Sequence, residues 1–259
     1  MTSKNPDRMK RTDPFRLAMR LRGQGKTAQA LQVLQKEFLS GRRPRLAVAN
    51  NLACLLVEQG RSAEAIAVLK EALAAHPTNA ILLNNLGYAH LQSGNNARAG
   101  RIFRKVLCRN PYDVEARVNL GLAFARQERH AAAVKEFRLA LATSPASSEA
   151  LTNLGSSLKS LGRHEEAIAK LQLALQHDPG NLEARNNLAC VLQLVGRTEE
   201  ARRELSLVFA AQPDDELTLY NLAVLEIACG SRPKAKELVK RYLKIQPRGR
   251  FAEELRSWR

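Results

Sequence analysis

The chain has 259 residues, with 41 Lys and Arg against 25 Asp and Glu, a formal charge of +16, and is 45% hydrophobic but only 5% aromatic. That apolar content excludes a disordered chain, the shortage of aromatic and β-branched residues argues against a β-sandwich, and the Leu and Ala that dominate favour helix. No apolar run reaches the ~18 residues of a membrane span and no h-region follows the basic start, so neither a transmembrane segment nor a secretory leader is expected.

In chain order, residues 1–11 read as a basic N-terminal tail. Residues 12–45 predict a degenerate helical pair, in which Leu17-Ala18, Gly25, Ala30 and Leu34 keep the spacing of the units that follow. From residue 46 the period is regular: Pro77, Pro111, Pro145, Pro179, Pro213 and Pro247 lie 34 residues apart. Asn-Leu pairs recur at the same interval (Asn51, Asn85, Asn119, Asn153, Asn187 and Asn221, each followed by Leu), and then a small residue: Ala53, Gly87, Gly121, Gly155, Ala189 or Ala223. Ala65, Ala99, Ala133, Ala167, Ala201 and Ala235 complete the pattern, so six units begin at 46, 80, 114, 148, 182 and 216. Each reads as two helices. In the fourth, Ser147 caps the first helix, Leu151, Leu154, Gly155 and Leu158 form its apolar stripe, and Gly162 supplies a left-handed stop. Ala167, Leu171, Ala174 and Leu175 form the second stripe, and Pro179 closes the unit. Asn79, Asp113, Asn181 and Asp215 repeat the cap, and Gly60, Gly94, Gly196 and Gly230 repeat the stop; Glu128 stands at the stop of the third unit. Phe251, Leu255 and Trp258, at i, i+4 and i+7, predict a short capping helix over residues 250–259.

One such pair cannot bury its apolar stripe alone, whereas stacked pairs share a continuous core. The expected fold is therefore all-α, a solenoid of helix-turn-helix units. Period, turn residues and stripe together resemble the tetratricopeptide repeat over residues 46–249. The family's opening Trp is absent, with Ala49, Leu83, Arg117, Leu151, Arg185 and Leu219 in its place. The resemblance implies a right-handed solenoid whose first helices line a concave face that holds an extended peptide.

At those positions this sequence offers a nearly uncharged groove, with Asn51, Asn85, Asn119, Asn153, Asn187 and Asn221 as one ladder. Asn50, Asn84, Asn186, Tyr88, Tyr220, Thr152 and Ser156 flank it, with Cys54, Cys190, Leu122 and Val224 between. Asn is a poor residue inside a helix, because its amide competes for backbone hydrogen bonds. A primary amide can pair with both the N–H and the C=O of a bound peptide unit, which suits an extended, sequence-tolerant partner. The other reading is that each Asn braces the adjacent helix. The ladder resembles that of the repeat superhelix of O-GlcNAc transferase, at those six asparagines alone; the catalytic domain of that enzyme has no counterpart in these residues. A carboxylate clamp for chaperone tails needs Lys and Arg along the groove, and only Arg126, Lys159, Arg16 and Arg22 lie near it.

Charge is concentrated at the ends: residues 1–45 carry +9, residues 232–259 carry +7, and residues 46–231 balance. Such ends can attract nucleic acid or an anionic membrane surface, but no base-reading motif accompanies them, and a solubilising surface is the favoured reading. Catalytic signatures are absent. Gly25-Lys26-Thr27 lacks the first glycine of a phosphate loop, and His164-Glu165-Glu166 lacks the second histidine of a zinc-protease helix. Cys54, Cys108, Cys190 and Cys229 form no CxxC, and no metal or cofactor site is predicted. Without a disulfide framework, a reducing, cytoplasmic location is the default. The expectation is a non-catalytic scaffold binding a protein or peptide partner. By analogy with bacterial proteins of similar layout, it would assist assembly of a larger complex, and self-association through uncapped ends would give a homo-oligomer.

Overall fold

The computed structural model describes residues 13–40 and 45–257. The basic tail 1–11 and Trp258 lie outside the described residues. Fifteen helices and no strand are found among those described. They fall into two compact units, residues 1–127 and 128–259, and the division lies inside the third repeat. The first unit holds α1 (Pro14–Gly23), α2 (Thr27–Ser40), α3 (Leu46–Glu58), α4 (Ser62–Ala75), α5 (Ala80–Gln92), α6 (Asn96–Leu107) and α7 (Val114–Ala125). The second holds α8 (His130–Thr143), α9 (Ser148–Ser160), α10 (His164–His177), α11 (Leu182–Leu194), α12 (Thr198–Ala211), α13 (Glu216–Ala228), α14 (Arg232–Ile245) and α15 (Ala252–Arg256). Within each unit consecutive helices pack on one another, and first helices of adjacent repeats also touch, as α3 on α5 and α9 on α11 do. This is the all-α solenoid packing that the 34-residue period requires.

The local signals act where the sequence places them. Asn79, Asp113, Ser147, Asn181 and Asp215 each accept the N–H three residues on, at 2.8 to 3.2 Å, satisfying a donor that the first turn leaves open. The first helix of a regular repeat stops at a left-handed glycine, as at Gly162 with φ 73°. Glu128 fills that role in the third repeat with φ 59°, a conformation that costs a residue with a Cβ about 1–2 kcal/mol. The degenerate pair α1–α2 follows the same plan. Asp13 caps α1, Gly25 turns with φ 74°, and Ala18, Ala30 and Leu34 are fully buried. Gly25 and Lys26 thus form an interhelical turn, Thr27 opens α2, and His130 and His164 open α8 and α10.

Small residues set the distance between the two helices of a repeat. A Cβ on Gly87 would stand 2.5 Å from the Phe103 ring, and one on Gly155 would stand 2.6 Å from Leu171 Cγ. Opposite them Ala99 and Ala167 are fully buried. Leu120 then packs on Gly100, linking α7 to α6. At the far end Leu255 and Ala252 of α15 are buried on α13 and α14, and Tyr242 donates to Glu216 at 2.7 Å while accepting the Phe251 N–H at 3.2 Å. Helix α15, with Phe251 just before it, lies on the last repeat; it runs from Ala252 to Arg256, shorter than the 250–259 expected from the stripe.

Two substitutions test this account in opposite directions. Glu128→Gly relieves the left-handed residue and should raise unfolding stability by about 1 kcal/mol in urea or thermal melts. Gly155→Ala improves helix propensity yet forces the buried Leu171 aside. It should lower stability by about 1 kcal/mol, overpacking outweighing propensity.

Candidate functional site

The first helices carry the residues expected to line the groove, and in each unit these reach from one helix to the next. In the first unit the Asn85 Nδ2 donates to the Asn50 Oδ1, joining α5 to α3. Asn51 instead turns its amide onto its own helix, donating to the Ala47 carbonyl at 2.9 Å. Asn119 is buried on α7, and Asn84 is buried on α5 with its Oδ1 lacking a partner. In the second unit Asn187 accepts from Lys159 Nζ at 3.4 Å, and Asn221 donates to Cys190 Sγ at 3.6 Å. Asn186 donates to Thr218 Oγ1 at 3.4 Å, its own Oδ1 buried and unpartnered; Asn153 is half-buried on α9.

A single offset relates several of these groups. The fifth residue of one repeat and the sixth of the next, 35 residues on, meet at Asn50 and Asn85. The same offset relates Asn84 to Asn119 and Asn186 to Asn221, where the fifth-position oxygen is left without a hydrogen bond. An unsatisfied buried carbonyl costs about 1–3 kcal/mol, so these faces are not optimised for stability. Saturation by main chain is seen at Asn51, among the described residues, and the remaining contacts are between side chains.

The flanking residues divide. Tyr88 is 39% exposed, and Ile81, seven residues earlier on α5, is 63% exposed, so α5 presents Ile81, Asn85 and Tyr88 as one stripe. Tyr220 is committed elsewhere: its ring stacks on Phe251 at 3.8 Å and its hydroxyl donates to the Glu254 carboxylate at 2.9 Å. The space beside it is taken by Phe251 and Glu254 of the C-terminal segment. Burial, with the Glu254 hydrogen bond second, raises the Tyr220 pKa. Burial likewise pushes up the thiols of Cys54 and Cys190, against the pull of Arg22 and Lys159 respectively, which makes both sulfurs less reactive. The nearby cations are also engaged. Arg22 pairs with Glu58 at 2.6 Å, and Arg126 donates to the Leu91 carbonyl at 2.7 Å. Among the described residues no group of His, Cys, Asp and Glu is placed to hold a metal ion, and no helix is long and apolar enough to cross a membrane.

Sequence reasoning missed Ile81, whose place holds Glu115, Glu149 and Glu183 in the following three repeats; that contrast was the available signal. It also missed a register position that holds Leu56, Phe124, Leu158 and Leu192 but His90 and Glu226 in the second and sixth repeats. Both are buried; Glu226 is paired with Arg202 at 2.9 Å, whereas the His90 Nδ1 has no partner.

Three profiles of the tetratricopeptide repeat match the chain. One matches at residues 50–114, 101–148 and 120–182, a second at 158–217 and a third at 5–80. The chain belongs to the tetratricopeptide repeat family and, as such, is a protein-interaction scaffold. A comparison with curated proteins gives no match. Among solved structures, a tetratricopeptide repeat protein from Parabacteroides merdae is similar with a TM-score of 0.75 at 18% identity, over 95% of this chain and 96% of that one. PilW, described as a widely conserved type IV pilus biogenesis factor, gives 0.71 at 22% identity over 80% and 96%. PilF of Pseudomonas aeruginosa gives 0.68 at 17% over 82% and 96%. At these identities the likeness is one of fold.

The buried imidazole makes a pH prediction. Burial first, then Arg98 and Lys70, holds the His90 pKa below its ordinary 6.5. Below that pH the unfolded chain binds a proton that the folded chain refuses, so stability should fall as pH drops from about 7 toward the folded-state pKa. His90→Leu, which restores the residue type of the other repeats, should flatten the dependence of urea midpoint on pH between about 7 and 5.

Proposed function

We propose that the chain is a non-catalytic adaptor which holds an extended polypeptide segment of a partner protein along its first helices. The observation that carries this reading is the recurrence of Asn at one register position in all six repeats, where Asn85, Asn187 and Asn221 meet neighbouring side chains and Asn51 turns to the main chain of its own helix. Exchangeable amide contacts of this kind can be traded for the N–H and C=O groups of a peptide at little net cost. In the first unit Ile81 and Tyr88 on either side of Asn85 supply apolar contact for partner side chains. Affinity then comes largely from main-chain recognition, which tolerates variation in the partner's sequence. The engaged Arg22, Arg126 and Lys159 speak against recognition of a terminal carboxylate. The pilus-biogenesis description of PilW favours a setting in which the adaptor helps to assemble a larger complex.

The test is a peptide selected from a random library on the immobilised protein and measured by calorimetry. Changing Asn85, Asn119, Asn153 and Asn187 together to Ala should weaken it about tenfold or more, with the melting temperature unchanged or higher. Backbone N-methylation of the peptide should weaken binding more than alanine substitution of its side chains. Affinity retained by the fourfold variant would make the asparagines internal braces.

A further inference from the structure

In three repeats the second helix opens with an arginine held by a glutamate three residues on: Arg61 with Glu64 at 2.7 Å, Arg163 with Glu166 at 2.6 Å and Arg197 with Glu200 at 2.7 Å. In the second repeat these places hold Asn95 and Arg98, so a cation stands where the acid belongs. Helix α6 continues in the same sense with Arg101, Arg104 and Lys105, and Arg109 follows just past its end; no carboxylate occurs from Asn95 to Tyr112. All five cations are exposed, and among the described residues Arg98, Arg101, Arg104 and Lys105 have no carboxylate partner. Arg98, Arg101 and Lys105 lie at i, i+3 and i+7, one stripe along the helix, and Arg109 extends it to about 17 Å. Arg104 stands to one side, over the Phe124 ring at 5.5 Å. Arg109 keeps one nitrogen on the Thr78 carbonyl at 3.1 Å.

The character of this stripe narrows its occupant. A protein interface has a desolvated apolar centre, and a helix lying on a membrane buries an apolar face. None of the exposed large hydrophobic side chains is on α6. The stripe runs instead into the turn that carries Tyr112, 75% exposed, whose N–H is held by Asn110 Oδ1 at 3.2 Å. The next carboxylate, Asp113, is occupied in capping α7, where it accepts from Ala116 N at 2.9 Å. We propose that the outer face of α6 and the turn bearing Tyr112 form a site for single-stranded nucleic acid, the cations tracking successive phosphates and the ring stacking on one base. Guanidinium groups suit this role because their fixed fork can contact phosphate oxygens in pairs. An aromatic face accepts any base, so binding is indifferent to sequence. This site is separate from the peptide-binding face and does not depend on it.

The experiment is fluorescence anisotropy of a labelled oligothymidylate of about fifteen nucleotides with the full chain, from about 50 to 200 mM salt. Wild type should bind, with affinity falling steeply as salt rises. Arg98→Gln, Arg101→Gln and Lys105→Gln together should lower the slope of log affinity against log salt by about 2, as expected for three lost phosphate contacts on a single strand. Tyr112→Ala should weaken binding about 5- to 100-fold with the slope unchanged, and Tyr112→Phe should restore it. Circular dichroism of each variant reports that the helices persist. The proposal is overturned if wild type does not bind at the lowest salt. It also fails if the α6 triple variant binds as well as wild type while Lys236→Gln, Lys240→Gln and Lys244→Gln abolish binding, which would place the contact on α14. A duplex bound as tightly as the strand, with Tyr112→Ala inert, would mean a generic polyanion surface and sink the site. Displacement of the strand by polyglutamate or by phosphatidylglycerol vesicles at equal charge would do the same.

Discussion

The close approach of the two helices within a repeat governs the rest of the structure. Where Gly87 faces Phe103 and Gly155 faces Leu171, the absence of a side chain lets one helix seat directly against the other. The large partner then fills the space between them and is buried completely. With that distance fixed, the leucine after a ladder asparagine can seat on the helix before it, as Leu120 of α7 does against Gly100 of α6. The register of the first helices follows, and with it the 35-residue offset that brings the Asn85 amide to Asn50. A polar contact between repeats is thus a consequence of apolar packing inside them.

Much of this could be read without coordinates because period, caps and stops are local signals with local causes. Pro77 to Pro247, the capping residues Asn79 to Asp215 and the left-handed glycines each act over three or four residues, and the helix ends fall beside them. Even Glu128 was legible at its stop, because it stands 34 residues after Gly94 and 34 before Gly162. The candidate site was legible by position and not by contact. The sequence orders Asn50 and Asn85 on the first helices of successive repeats, but whether an amide turns to a carbonyl of its own helix, as Asn51 does to Ala47, or to a neighbour is decided by rotamers a few ångströms apart. Tyr220 could be placed on the groove face, yet its stacking on Phe251 depends on a contact across one full repeat that no local pattern encodes. Tyr112 is visible in the sequence as the one aromatic residue after the repeat prolines, where Thr78, Ala146, Gly180, Asp214 and Arg248 stand elsewhere, but its exposure is known only from the fold.

Duplicated units provide an internal standard, and the informative residues are those that depart from it. A leucine or phenylalanine place that holds His90 or Glu226, a place held by glutamate in three repeats that holds Arg98, and another held by glutamate in three repeats that holds Ile81 each depart from the commonest residue at that position. The departures fall on different surfaces: Ile81 lies with the asparagines on the first helices, and Arg98 with its cations on a second helix. A scaffold of this construction can therefore carry separate recognition chemistries on its two kinds of helix, since each repeat's core is formed by residues that neither surface uses.

The C-terminal helix extends the period beyond the last regular repeat. Tyr220 meets Glu254 exactly one period later in sequence, so α15 sits in the register of a seventh regular repeat's opening helix, cut to five residues. With Leu255 sunk into the core and Phe251 laid over Tyr220, this short segment occupies the surface of α13 and α14 on which the opening helix of another regular repeat would pack.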